Sequence, residues 1–360
     1  HGFTPRNSFL KPSHETMLTS KNEKTFFGEK IMAIRIGVMM GDPAGVGAEL
    51  TAKLLASGTM SVETGVVIVG DPVHLARGQL AADTNIKFDE FDEVNGVQVG
   101  AGKISLLPQL LDGAANYPHG KSKPEGGRYM LDCFETLLSL YKEGRIDSIC
   151  FAPLNKHSLK IGGMETADER DWLTEKLGYT GHTAELNVIE GLWTSRVTSH
   201  VPLRDVADLI TVDGIIDAVC LINTVLKTAG NSNPKIMVAG LNPHGGDNGA
   251  FGREELDVIG PAVKMAKEQG LNAEGPFSPD TMFLSAKKDN YDAIVTMYHD
   301  QGQIAMKLMD FEHGVTVLGG LPVPISTPAQ GSAFDISGRG VANPGAMKAA
   351  FKIAEQMGAS

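Results

Sequence analysis

The sequence predicts an α/β protein built on a mainly parallel sheet, with two domains or one large unit around a cleft. Three observations carry that reading. Short β-branched runs alternate with longer helical stretches from Ile34 onward, the pattern of strands joined by helical crossovers. The chain has 360 residues, 42% of them hydrophobic, enough for two domains or for one large unit with a cleft. Glycine, histidine and other polar residues gather where the runs end, as at the carboxyl edge of an open α/β sheet, where ligands bind.

Residues 1–32 are polar, mixed in charge and without a long apolar segment, so they do not read as a secretory signal. They are expected to be an unordered or cloning-derived extension. Strand-like runs follow at residues 35–40, 66–70, 148–153, 235–240, 293–298 and 315–318, with no internal repeat and no low-complexity segment. The first run leads into Gly-Asp-Pro-Ala-Gly-Val-Gly-Ala-Glu, where Gly41, Gly45 and Gly47 allow a tight path into a helix beginning near Ala48. A plain turn and an anion-facing helix start both fit. The spacing matches neither the dinucleotide fingerprint nor a phosphate loop. The third run ends in Pro-Leu-Asn-Lys-His, making Lys156 a candidate for anion binding or proton transfer, with a solvated surface lysine as the alternative.

Three histidines occupy equivalent places: His200 closes Ser-Arg-Val-Thr-Ser-His, His244 follows Gly-Leu-Asn-Pro, and His299 follows Ala-Ile-Val-Thr-Met-Tyr. If their strands share one region of the sheet or meet across a dimer, three imidazoles converge. Neutral imidazole suits Zn, Co, Ni or Fe, and three protein ligands leave positions open for a substrate. The alternative at each position is a structural histidine. The polar, glycine-rich surroundings of His244 and His299 favour exposed side chains instead. His1, His14, His74, His119 and His157 lie in no comparable pattern and read as surface or local residues.

Charge and cysteine usage exclude several classes. With 32 basic and 43 acidic residues the net charge is −11, which repels a phosphate backbone and argues against nucleic acid as a partner. No apolar stretch approaches the roughly eighteen residues of a membrane helix, so no span is expected. Cys133, Cys150 and Cys220 are odd in number, widely spaced and set among apolar neighbours. That fits a reducing, cytoplasmic setting better than a disulfide framework.

Six motifs occur in order: residues 41–49 as quoted above, Gly-His-Thr-Ala-Glu-Leu (181–186), Thr-Ser-His-Val-Pro-Leu-Arg-Asp-Val (198–206), Gly-Leu-Asn-Pro-His (240–244), Pro-Asp-Thr (279–281) and Tyr-His-Asp-Gln-Gly (298–302). Together they resemble the 4-hydroxythreonine-4-phosphate dehydrogenase family of pyridoxal phosphate biosynthesis, from about residue 34 to the C-terminus. The resemblance implies a two-domain α/β/α fold like that of the isocitrate and isopropylmalate dehydrogenases, with a cleft between the domains and with residues 33–155 and 325–360 in one domain. Residues 156–324 would form the second, with the metal site and the dimer interface. The resemblance further implies oxidation of the secondary alcohol of a small hydroxy acid by NAD, followed by loss of carboxylate from the β-keto acid. A divalent metal, zinc or else Co, Ni, Mg or Mn, would be held by His200, His244 and His299 from both subunits of a homodimer. Substrate contacts carry over onto His182, Thr183 and Lys307. Asp280 and Asp300, with Lys156, fall at positions expected to move protons or to orient the ligating histidines.

The segment Gly-Ser-Ala-Phe-Asp-Ile-Ser-Gly-Arg-Gly-Val-Ala-Asn-Pro (331–344) is similar to the adenosine-binding loop of the isocitrate and isopropylmalate dehydrogenases. By that likeness Asp335 takes the ribose hydroxyls and Asn343 lies near the adenine. A carboxylate there repels a 2′-phosphate, so NAD is expected over NADP.

The substrate positions depart from the family pattern. Its substrate-binding asparagine falls on Thr316 and its substrate-binding arginine on Ile325, while its Asp-His-Gly-Thr has become Ala329-Gln330-Gly331-Ser332. The stretch between His182 and His200 is also shorter than in the family. An isoleucine offers none of the forked, charge-assisted hydrogen bonds by which arginine holds an oxyanion. The expectation is therefore retained oxidation of an altered substrate, phosphorylated or dicarboxylated, with Lys307 remaining as an anion partner. Related members act on phosphorylated four-carbon sugar acids and on the cis-dihydrodiol of terephthalate. Two readings from other classes are a phosphate acyltransferase, which shares the architecture without NAD or three histidines, and a non-catalytic binding protein.

Overall fold

The runs Ile-Arg-Ile-Gly-Val-Met and Thr-Gly-Val-Val-Ile-Val-Gly form the first two strands, β1 (Ile34–Met39) and β2 (Thr64–Gly70). Every residue of β2 is buried, as in a parallel strand covered on both faces. This is a computed structural model, and it describes residues 33–189, 191–310 and 312–360. The extension expected at residues 1–32 lies outside the described residues.

The later strands are β3 (Asp89–Glu90), β4 (Ile104–Pro108), β5 (Ser148–Phe151), β6 (Ala184–Ile189), β7 (Leu192–Arg196), β8 (Ile236–Ala239), β9 (Ala273–Phe277), β10 (Ala293–Thr296), β11 (Val315–Gly319) and β12 (Ile325–Pro328). The helices are α1 (Gly47–Ala56), α2 (Pro72–Ala82), α3 (Pro124–Lys142), α4 (Lys156–Ile161), α5 (Glu169–Leu177), α6 (Val206–Leu209), α7 (Val212–Thr228), α8 (Gly260–Glu268), α9 (Met282–Lys288), α10 (His299–Met309) and α11 (Gly345–Gly358). Among the described residues no single helix is long and apolar enough to cross a membrane.

All six predicted runs are strands, and they belong to one sheet of order β3-β4-β2-β1-β5-β12-β11-β6-β7-β10-β8-β9. The first six strands of that order come from residues 34–151 and 325–328, the other six from residues 184–319. Pairing is parallel toward both edges. The centre differs from the expectation, because β11 runs antiparallel to both β12 and β6, and β6 antiparallel to β7. The hairpin β6–β7 is not among the predicted runs. Its sequence, Ala-Glu-Leu-Asn-Val-Ile, mixes polar residues into the strand because Glu185 and Asn187 reach across to Arg196 on β7.

Alternate residues of β1 and β2 feed two cores, as the period of a strand requires. Ile36, Val38, Val66 and Ile68 pack with Leu50, Leu75 and Phe351 on one face. Met39, Val67 and Val69 pack with Met130, Phe134 and Leu137 on the other. Cys133 and Cys150 are buried, Cys220 is half-buried, and all three are free.

The glycine turn after β1 is shaped by packing. A Cβ on Gly47 would sit 1.9 Å from the Met40 carbonyl oxygen, and Gly41, at φ +70°, lies against the backbone of Ala152 and Pro153. Only glycine permits both. Four of the helices are capped by side chains. Asp71 accepts from the amides of Val73 and His74, Asn155 from Ser158, Asp168 from Asp171 and Thr211 from Gly214, each cap being worth about 1 kcal/mol.

Candidate active site

The carboxyl ends of β7 and β10 lie side by side, because the two strands are paired in parallel. That pairing continues beyond the strands: the Val197 amide donates to the Thr296 carbonyl, and both the amide and the hydroxyl of Thr198 donate to the Met297 carbonyl, the hydroxyl at 2.8 Å. The result brings His200 and His299 together, with ring centroids 5.9 Å apart. His299 opens α10, and its Nδ1 lies 2.8 Å from Asp300 Oδ1. With the proton on Nδ1 donated to that carboxylate, Nε2 keeps a free lone pair.

His200 is exposed and borders two cavities. One, of about 540 Å³, also takes in Tyr298, His299, Asp300 and Ile304. The other, of about 140 Å³, is lined by His182, Thr183, Asp168, Arg170 and Arg196. His182, Thr183 and His200 therefore share one surface. Lys307 lines a separate small cavity beside Asn187 and Gln303. Thr316 accepts a hydrogen bond from Asn187 Nδ2 at 3.3 Å, and Asn187 Oδ1 in turn accepts from Arg196 at 2.9 Å.

Ile325 is not a cavity wall. It is 0% exposed, pairs with Ile149 and packs in the core with Val323, Leu318 and Phe151. The cations beside His182 and Thr183 are instead Arg170 and Arg196. The Arg196 side chain is only 7% exposed. It donates to Ser199 Oγ, Asn187 Oδ1 and Glu185 Oε2, and burial pulls its pKa down against the opposing effect of Glu185. Sequence reasoning overlooked it. The available signal was an arginine inside Leu-Trp-Thr-Ser-Arg-Val, a run otherwise suited to burial.

Lys156 is exposed at the start of α4. Its charge is felt by Glu169, whose carboxyl is pushed up by burial while Lys156 pulls it down and Asp168 and Glu185 raise it. Glu169 Oε2 is buried and has no hydrogen-bond partner among the described residues. This acid beside Lys156 was also absent from the sequence reading.

The structure does not bring His244 to the other two histidines within one chain: among the described residues no group of three or more His, Cys, Asp or Glu is arranged to hold a metal ion. His244 is exposed and has φ +56°, the first of six consecutive residues with positive φ, running to Gly249. For residues other than glycine that conformation is strained. Asp280 lies near enough to be affected by it. The Ser278 hydroxyl, first, and the His244 charge as well hold the Asp280 carboxyl below the usual range.

Glu255, 3% exposed, fixes the base of this turn. It accepts from the amides of Leu241 and Asn242, both at 2.7 Å, and from Asn242 Nδ2 at 2.9 Å. Burial alone would raise its pKa, but those hydrogen bonds outweigh it and hold the carboxyl below its ordinary value. A depressed folded pKa contributes stability that is present above the unfolded value and is lost as pH falls through the folded one. The turn carrying His244 is therefore expected to open on acidification below about pH 4. Protection of the Leu241 and Asn242 amides against hydrogen exchange should fall over that range, and unchanged protection would refute the assignment. Gln301 links the two histidine segments, donating to the Gly240 carbonyl at 2.8 Å and accepting from the Met297 amide at 2.7 Å.

The C-terminal loop is clamped to α1. The Glu49 carboxylate accepts from the amides of Gly340 and Ala342, while Lys53 Nζ donates to Glu49 and to the carbonyls of Gly340 and Ala342. Asp335 is exposed. Asn343 is engaged locally: its Oδ1 accepts from the Gly345 amide and its Nδ2 donates to Glu312.

Comparison with known proteins bears on the family and the fold. A Pseudomonas aeruginosa protein provisionally named 4-hydroxythreonine-4-phosphate dehydrogenase 2 is 47% identical over 326 residues, covering 90% of this chain and 97% of its own. D-Threonate 4-phosphate dehydrogenase from Pectobacterium atrosepticum is 33% identical over 89% of this chain and 98% of its own. In three dimensions the chain is similar to 4-hydroxythreonine-4-phosphate dehydrogenase from Klebsiella pneumoniae, with a TM-score of 0.80, 31% identity, and coverage of 91% of this chain and 99% of that one. The protein is an enzyme of the dehydrogenase class. Residues 62–354 match the family described as pyridoxal phosphate biosynthetic protein PdxA, and the chain belongs to that family.

Proposed function

We propose that this chain is an NAD- and divalent-metal-dependent dehydrogenase acting on the secondary alcohol of a phosphorylated four-carbon hydroxy acid, 4-phosphohydroxythreonine or 4-phospho-D-threonate. The observation that carries the reading is the pair His200 and His299, with rings 5.9 Å apart, on a surface shared with His182 and Thr183. Both substrates appear in the names of relatives.

A bound divalent cation, zinc by the preference of imidazole ligands, would polarise the substrate hydroxyl, and NAD would accept the hydride. The donor set fits such an ion, since the Asp300 contact leaves His299 Nε2 free. His200 and His299 would hold it together with His244 from the second subunit of a homodimer. His182 and Thr183 would take the anionic end of the substrate, with Thr316 and Lys307 supporting that wall through Asn187. Lys156 beside Glu169 is the candidate for moving the hydroxyl proton, and Asp280 and Asp300 orient the histidines nearest to them. Asp335 would bind the ribose hydroxyls and disfavour NADP. The two halves of the sheet would act as lobes of a cleft, residues 33–155 with 325–360 against 156–324. The free thiols suit a cytoplasmic enzyme.

The test is NADH formation by zinc-loaded protein offered 4-phosphohydroxythreonine, 4-phospho-D-threonate and a cis-dihydrodiol dicarboxylate. Turnover of either phosphorylated compound is the expected result. Turnover of the dihydrodiol alone, or of none of the three, would overturn the proposal.

A further inference from the structure

The family's substrate-binding arginine is absent at position 325, but the face of the sheet that carries Ile325 also carries a different arginine. Thr327, Thr316, Asn187 and Thr194 stand opposite one another across β12, β11, β6 and β7. They share one face, and so do the residues two positions along each strand: Ile325, Leu318, Glu185 and Arg196. Ile325 and Leu318 are buried in the core. Glu185 and Arg196 line the cavity of about 140 Å³ beside His200. A space of that size holds one charged group and not a whole substrate, since a single water takes about 30 Å³.

Two guanidinium groups meet at that cavity. Arg196 uses three of its five N–H donors on Ser199, Asn187 and Glu185, and the other two have no acceptor among the described residues. Arg170 arrives from the first turn of α5, which Asp168 caps. It donates to the Thr183 carbonyl at 3.3 Å and to Asp171 at 2.8 Å, while its Nε is buried without a hydrogen-bond partner among the described residues. Burial first, and the charge of Arg170 as well, lower the Arg196 pKa against the pull of Glu185, so the two cations lie close together. Asp168 and Glu185 balance much of their charge but leave their donors unfilled: Asp168 Oδ1 accepts from the Asp171 amide and Glu185 Oε2 from Arg196 alone. A buried N–H without an acceptor is costly. The spare N–H groups call for an acceptor with more than one oxygen.

We infer that Arg170 and Arg196 together grip an oxyanion of the substrate, its carboxylate or its phosphate, in place of the arginine absent at position 325. The inference rests on the substrate class proposed above. A guanidinium holds either oxyanion through forked, charge-assisted hydrogen bonds, and Ser199 and Asn187 fix the Arg196 fork before any ligand arrives, which lowers the ordering cost of binding. An anion held between β6, β7 and α5 needs no cation from β12, so a buried isoleucine at position 325 is compatible with an anionic substrate. The clamp lies beside His200. It therefore sets the distance from the anchored group to the reacting hydroxyl, and with it the length of substrate that fits.

The experiment is calorimetric binding of 4-phospho-D-threonate, D-threonate and inorganic phosphate to the zinc-loaded full chain, with Arg196→Lys and Arg170→Lys alongside. Lysine keeps the charge and loses the fork. Each substitution is expected to weaken 4-phospho-D-threonate about tenfold or more. A matching loss for D-threonate assigns the clamp to the carboxylate, and a matching loss for inorganic phosphate assigns it to the phosphate. Melting temperatures check folding, and Arg170, with 25% of its side chain exposed, keeps the test open if the more buried Arg196 variant does not fold. Native affinity for all three ligands in the folded variants, or no binding of any of them by the native chain, overturns the inference. Steady-state rates separate binding from a general structural role: the clamp raises KM about tenfold with kcat nearly unchanged, whereas a fall in kcat at native KM counts against it. NADH formation is scored separately. Binding through the two arginines without turnover defeats the proposed reaction and leaves the clamp standing, while turnover at native KM in both variants defeats the clamp alone.

Discussion

His200→Ala is expected to lower turnover by about a thousandfold or more while leaving the melting temperature unchanged. On the proposed reading His200 holds a divalent cation; an ion that polarises the reacting hydroxyl supplies several kcal/mol of charge stabilisation, and about 4 kcal/mol corresponds to three decades in rate. The side chain is exposed, and the local backbone is held by Thr198 and Val197 rather than by the imidazole. Nothing in the packing depends on it. Zinc content measured on the same samples should fall with activity. A variant that keeps its metal and its rate would show that the His200–His299 pair is a surface contact, and one that fails to fold would assign His200 a structural role.

Ile325→Arg should destabilise the protein by several kcal/mol, enough to remove most of its folding stability. From sequence alone, restoring the family's arginine here should improve phosphate binding. The structure reverses that expectation, because the side chain is 0% exposed among Phe151, Leu318 and Val323, where a guanidinium finds no carboxylate to pair with. Urea unfolding decides the matter. A variant as stable as the native protein, with a lower KM for a phosphorylated substrate, would mean that position 325 reaches the substrate after all. Ile325→Val, which only trims one methylene, should cost about 1 kcal/mol and leave the KM alone.

Much of the fold was legible because its strands are nearly continuous apolar runs. Thr64–Gly70 and Ala293–Thr296 are buried along their whole length, so their period carries no ambiguity of face. The hairpin of β6 and β7 was not legible. Its polar residues bond to one another across strands, a pairing that no local window contains. The site divides in the same way. His200 and His299 follow strands that pair in parallel, the condition on which the sequence reading made their meeting depend. Arg196, Glu169 and Glu255 were hidden because each acts with a partner 11 to 14 residues away: Arg196 with Glu185, Glu169 beside Lys156 and Glu255 with Leu241. The misplacement of Ile325 has a different cause. Counting from a motif fixes a position along the strand, but not the face to which a side chain turns.

The placement of β12 bears on how the molecule is made. This strand and α11 complete the half of the sheet that begins with β1, pairing with β5 and covering its core with Met347 and Phe351. During synthesis β5 leaves the ribosome long before its neighbour, with the whole of residues 184–319 still to come. Its open edge and the uncovered apolar surface beneath it would then be exposed to other nascent chains. The amino-terminal half, although translated first, therefore completes its sheet only after the carboxyl-terminal strand emerges.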